Sequence, residues 1–164
     1  MHLPMFQPAD RYLGAAAQTA GDAPGDDLST LAWVEGELRR TLEHAHKALR
    51  RYVREAAALG GSDVDAVDPA VLRAARAQIH QAVGALELVG QPAAAEVLRA
   101  SEAAVQRFIG RPGSIELAAV ETVERASFAV LDFLARRIAG KPVAALALFP
   151  QYAAVRLLGG ADRV

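Results

Sequence analysis

From Leu31 onward, apolar side chains recur at three- and four-residue steps: Leu31, Val34, Leu38, Leu42, Ala45, Leu49, Tyr52, then Val53 and Ala56. That period paints one stripe on a helix. It predicts a first helix over 28–57, capped by Asp27 or Ser29 and stopped by "LGGSD", where a glycine suits the left-handed end of a helix. A second stripe holds Leu72, Ala75, Ile79, Val83, Leu86 and Gly90, widened by Ala82 and Val89. Asp68 is its expected N-cap and Pro69 its first helical residue. The third helix is predicted over 92–109, with Val97, Leu98, Ser101, Ala104, Val105 and Phe108 facing inward. After "GRPGS", Ser114 is expected to cap a fourth helix reaching 139, with Ile115, Ala118, Val123, Ala126, Val130, Leu131, Leu134 and Ile138 on its broader apolar side.

Four helices with short connections, one apolar face each and no alternating β-like run predict an all-α fold, an antiparallel up-down four-helix bundle. The bundle is expected over 28–139. Residues 1–27 read as a leader, flexible or partly packed through Phe6, Tyr12 and Leu13, because "GDAPGDD" has the composition of a linker. Residues 140–164 read as a proline-containing extension packing on the bundle. In it Pro142 is expected to open a short helix and Pro150 to kink or break it. Tyr152, Val155, Leu157 and Leu158 are expected to form a last apolar segment capping an open end of the bundle.

Composition removes several function classes. The 164 residues contain 52% apolar side chains, 18 Lys plus Arg against 19 Asp plus Glu, and no cysteine. A net charge of -1 gives no electrostatic footprint for nucleic acid. The missing cysteines exclude disulfides and thiolate zinc sites. The beginning of the chain lacks a basic region followed by an apolar run, and no charge-free apolar stretch reaches membrane-spanning length. A cytoplasmic location without membrane insertion is therefore expected. No cofactor-binding fingerprint is present: phosphate loops, dinucleotide motifs and a nucleophile elbow are all missing.

The candidate chemistry centres on His80. At about 100° per residue it lies to one side of the stripe through Ile79, and Arg73, Arg76, Ala77, Gly84 and Glu87 share the outer surface. A neutral imidazole is a competent nucleophile for phosphoryl transfer. Gly84, one turn on, lets a bulky partner approach, and Arg76, one turn back, offers a cation to phosphoryl oxygens. The plain alternative is an ordinary surface histidine beside a solvated arginine, with Gly84 relieving crowding between helices and Gly90 acting as a C-cap.

The bundle pattern together with "HQAVGALELVG" resembles the histidine phosphotransfer family. Those domains are four-helix bundles whose phosphoacceptor histidine is followed, after two residues, by lysine and glycine, and later by a second glycine. His80 falls on the acceptor, Gly84 and Gly90 fall on the glycines, and Val83 stands at the lysine position. Three ordered segments, "LAWVEGELRRTLEHAHKALRRYV", "IHQAVGALELVG" and "AGKPVAALALFPQYAAVRLLGG", narrow the likeness. They resemble the N-terminal phosphotransfer-like region of the chemotaxis-type hybrid kinases that control type IV pili, and the related scaffold protein of twitching motility. The resemblance spans 31–160. It implies a degenerate, non-enzymatic docking module for pilus-signalling or polar-localisation scaffold proteins or for response-regulator receiver domains, recruited to the cell pole or pilus machinery. Its docking surface would comprise Arg73, Arg76, Ala77, Val83, Gly84 and Glu87. The alternatives are a working phosphorelay intermediate with His80 as acceptor, and a structural oligomerisation module.

Other clusters are weaker. His44 and His46 are two residues apart, which does not place two metal ligands on one helix face. Glu121 and Glu124 lack the histidines a carboxylate-bridged di-iron bundle needs, so no metal site is expected. Trp33 faces away from the first stripe, to pack on the leader or tail or to anchor an interface.

Overall fold

In a computed structural model, the described residues are 7–60, 67–111, 113 and 115–160, with side chains from Asp27 onward. They form α1 (Gln7–Ala58), α2 (Ala70–Leu88), α3 (Pro92–Gly110), α4 (Leu117–Ile138) and α5 (Phe149–Leu158), the last entered through a 3₁₀ turn over Ala145–Leu148. No strand occurs among the described residues. Helix α1 packs on α2, α2 on α3, α3 on α4 and α4 back on α1. Those contacts close the predicted four-helix bundle, and α5 lies along α3 and α4.

The stripes become the core. Leu38, Leu42, Leu49 and Tyr52 of α1, Leu72, Ile79 and Leu86 of α2, Val97 and Leu98 of α3, and Val120 and Leu134 of α4 are buried together. Alanine at 45, 75, 94, 95, 104 and 126 is buried with them, which lets the helix axes approach while keeping helix propensity high. Asp68 Oδ1 accepts the Ala70 N–H at 2.9 Å at the start of α2. At its end the Gln91 N–H reaches back to the Leu86 carbonyl at 2.9 Å, and Gly90 has φ +71°. That is a left-handed C-terminal closure, which a side chain would strain.

Several expectations need correction. Helix α1 starts at Gln7 rather than Leu28, and the backbone over 7–27 is helical. Alanines 15, 16, 17 and 20 favour helix there. Phe6, and the side chains of Tyr12 and Leu13, fall outside the described residues. Ser114 does too, and the N-cap position of α4 is Glu116. Ala118 is exposed, whereas Val120, Ser127 and Phe133 are buried, because α4 faces α1, α3 and α5 at once. Residues 141–144 are irregular and Pro142 opens no helix. Pro150 does not break α5 but sits in its first turn, where the missing N–H costs no intrahelical bond. Leu157 points outward while Leu148 and Val155 carry the packing. The extension accordingly lies along two helices rather than over an open end. No helix among the described residues is long and apolar enough to cross a membrane.

Candidate functional site

Helix α2 presents its outer face beside α3, and between them lies an open notch of about 450 Å³. From α2 it is lined by Arg76, His80, Val83, Gly84 and Glu87. Arg99, Glu102, Ala103 and Gln106 complete it from α3. The two sets follow from helical periodicity: residues at i, i+3, i+4 and i+7 share a face.

The His80 side chain is 72% exposed, whereas the Glu102 side chain facing it is only 16% exposed. His80 Nδ1 lies 3.0 Å from Glu102 Oε1 and 3.1 Å from Oε2. An ionised carboxylate can only accept, so Nδ1 is the protonated nitrogen in this arrangement. That choice leaves Nε2 as the basic nitrogen of the neutral ring. Arg76 Nη1 stands 3.6 Å from the same Glu102 oxygen, so one carboxylate is shared by a histidine and an arginine. Glu87 is tied to Arg99, which also engages Glu96.

The sequence-derived surface residues divide. Arg76, Val83, Gly84 and Glu87 meet around His80; Arg73 and Ala77 lie on α2 but do not line the notch. Val83 is 4% exposed and forms part of the notch floor. A methyl group at Gly84 would meet nothing within 4 Å. Gly84 therefore does not relieve crowding between helices; it leaves the space beside His80 open. Sequence spacing alone misses the α3 side of the notch. Arg99, Glu102, Ala103 and Gln106 show helix-face spacing in the sequence, but only the α2–α3 register reveals that Glu102 reaches His80.

A second histidine sits in a different environment. His46 of α1 is buried, with Nε2 2.9 Å from Ser127 Oγ of α4. The Phe128 ring meets it edge-on at 5.7 Å. Burial pushes the His46 pKa below its ordinary value of 6.5; Glu124 opposes the shift, Arg50 adds to it, and Glu43 opposes it weakly. Across the same seam Arg50 Nη2 lies 2.8 Å from Glu124 Oε1, and this pairing raises the arginine pKa. His46 is thus a neutral, hydrogen-bonded core histidine. His44 is exposed on the other side of α1. Among the described residues no three His, Asp or Glu side chains gather as metal ligands. Trp33 is exposed.

Comparison with models of known protein families, with curated proteins and with solved structures gives no match for this chain.

Proposed function

We propose that the protein is a docking module of the histidine-phosphotransfer type, receiving a signalling partner on the α2–α3 notch around His80. The resemblance assigns it to type IV pilus and twitching-motility signalling, with receiver domains or polar and pilus scaffold proteins as partners. The observation that carries the docking role is the open space at Gly84 beside an exposed His80. A surface cut away next to one protruding polar side chain suits a convex partner better than a small molecule.

The His80–Glu102 pair favours a second reading, in which the docked partner exchanges a phosphoryl group with His80. Nε2 would attack the phosphorus of a receiver's aspartyl phosphate, the P–O bond to that aspartate would break, and its carboxylate would leave. Glu102 would hold the Nδ1 proton and balance the charge gained by the ring. Val83 supplies no cation for the transferring oxygens, and Arg76 is the nearest replacement. A well-placed cation is worth roughly one to two decades in rate, so transfer would be slow rather than forbidden.

The test is incubation of the parent, Gly84→Arg and His80→Gln proteins with phosphorylated receiver domains and pilus scaffold proteins from the same organism, read by co-sedimentation and intact-protein mass. Gly84→Arg should abolish capture with helix content unchanged. His80→Gln should keep capture and lose any acid-labile label. Capture of every candidate by Gly84→Arg as tightly as by the parent removes the notch as the docking surface. Fast stoichiometric labelling of the parent promotes the second reading over the first.

A further inference from the structure

A cavity of about 330 Å³ opens on the α1–α4 seam and shares no lining residue with the His80 notch. Its apolar wall is made by Leu42 and Leu131, both buried, and by Phe128, which is 56% exposed. His46 lines it too, although only 6% of that residue is exposed.

The position of the proton on the His46 ring follows from its partner. Ser127 is fully buried, and its Oγ lies 2.9 Å from His46 Nε2. The hydroxyls of Ser101 and Thr122 donate one turn back, to the Val97 and Ala118 carbonyls. Ser127 has Nε2 as its acceptor instead. A fully buried O–H left without an acceptor is costly, so Oγ donates to Nε2 and the neutral ring carries its proton on Nδ1. That N–H meets no acceptor among the described residues, and the cavity is the open space the ring borders.

We propose that this cavity binds a small monocarboxylate with a flat apolar body, its carboxylate accepting from His46 Nδ1–H beside Lys47 and its body lying against Phe128, Leu42 and Leu131. Charge selects the carboxylate. Arg39, Lys47 and Arg50 line the cavity against Glu43 and Glu124, an excess of one positive charge. Arg50 is held by Glu124, and Arg39 by Glu35. Lys47 is exposed and has no ion-pair partner among the described residues. Glu43, one turn before Lys47, repels a second negative charge and so disfavours phosphate and dicarboxylates. The volume is at the lower end for ligand pockets and suits one or two fused rings. So few contacts in an open cavity give a Kd on the order of 0.1–1 mM. None of this rests on the phosphotransfer reading.

The test is NMR titration of the full chain with 2-naphthoate at about pH 7.5, where His46 is neutral, following the ring resonances of His46 and Phe128. Acetate, 2-naphthamide and inorganic phosphate are the comparison probes. 2-Naphthoate should saturate both rings, and each comparison probe should bind about tenfold or more weaker. Lys47→Met should weaken 2-naphthoate and Glu43→Gln should tighten it, each about threefold to tenfold, with 2-naphthamide unaffected. Both positions are exposed, so the fold tolerates either change. A bound carboxylate also favours the imidazolium, so saturating 2-naphthoate should move the His46 titration, depressed in the free protein, to higher pH. Ring resonances that stay unmoved up to about 10 mM, ten times the weakest expected Kd, overturn the proposal. So does acid binding no tighter than amide or phosphate, or a response to Lys47→Met and Glu43→Gln of the same sign.

Discussion

Two histidines on neighbouring helices show how surroundings decide a residue's role. His80 has one nitrogen on a shielded carboxylate and the rest of its ring toward solvent. His46 has Nε2 on Ser127 and almost no solvent. Because burial depresses the His46 pKa below 6.5, the unfolded chain binds more protons than the folded one at mildly acidic pH. The stability that neutral His46 contributes is fully present above pH 6.5 and is lost as pH falls through the depressed folded value. Urea midpoints should therefore drop from about pH 7.5 to about pH 5, and the drop should shrink in His46→Gln. An equal drop in both proteins would assign the acid sensitivity elsewhere. Ser127→Ala, which orphans the buried Nε2, should cost about 1–3 kcal/mol at about pH 7.5 in the same titrations. Val83 offers a third test. It stands where the resemblance has lysine, yet it is buried in the notch floor. Val83→Lys must thread its ammonium up beside Glu102 and loses apolar packing, so a cost of roughly 1–3 kcal/mol is expected, readable as a lower urea midpoint. Any gain in labelling of His80 would appear against that loss.

Helices are legible in the sequence wherever one sector carries the burial, as in α1 and α2, each packed between two neighbours. The stripes of α1 and α2 name their buried residues because each turns a single sector inward. Helix α4 defeats the same reasoning at Ala118, Val120 and Phe133, since three neighbours bury more than one stripe and an alanine gives no signal of which side it faces. Pro150 reads as a breaker until its position in the first turn of α5 is known. Glu102 is invisible for a different reason: its role exists only across the α2–α3 register, and nothing local encodes it. The glycines of α2 separate the two kinds of information. Gly84 is mid-helix with open space where a methyl group would project, so Gly84→Ala should stabilise by about 0.5–1 kcal/mol. Gly90 has φ +71°, so Gly90→Ala should destabilise by about 1–2 kcal/mol despite equally open space. Thermal or urea unfolding of the pair gives opposite signs if Gly84 serves access and Gly90 serves chain direction. Two shifts of the same sign would leave Gly84 with a packing role that the geometry does not show.

At the scale of the whole molecule, the question is whether the extension is an attachment or part of the fold. The four-helix ring closes without it, yet α3 and α4 each turn apolar surface toward α5. Leu148 and Val155 are buried there, and Val143, Tyr152 and Leu158 are packed against the core in part. Arg107 of α3 donates to the Leu158 carbonyl at 3.3 Å, fastening the last turn. Full burial of a Leu or Val side chain is worth about 1.5–3 kcal/mol, so the two buried residues alone supply roughly 3–6 kcal/mol. That is a large fraction of the roughly 5–15 kcal/mol by which a domain is stable. A chain ending at Gly140 should therefore unfold at a clearly lower urea concentration and with a smaller slope, since less surface is exposed on unfolding. It should also bind a hydrophobic dye through the uncovered α3–α4 seam. The α2–α3 notch shares no lining residue with the extension, so partner capture should survive at temperatures where the shortened chain stays folded. An unchanged urea midpoint would show α5 to be an appendage, and loss of capture in a shortened but folded chain would place part of the docking surface on the extension.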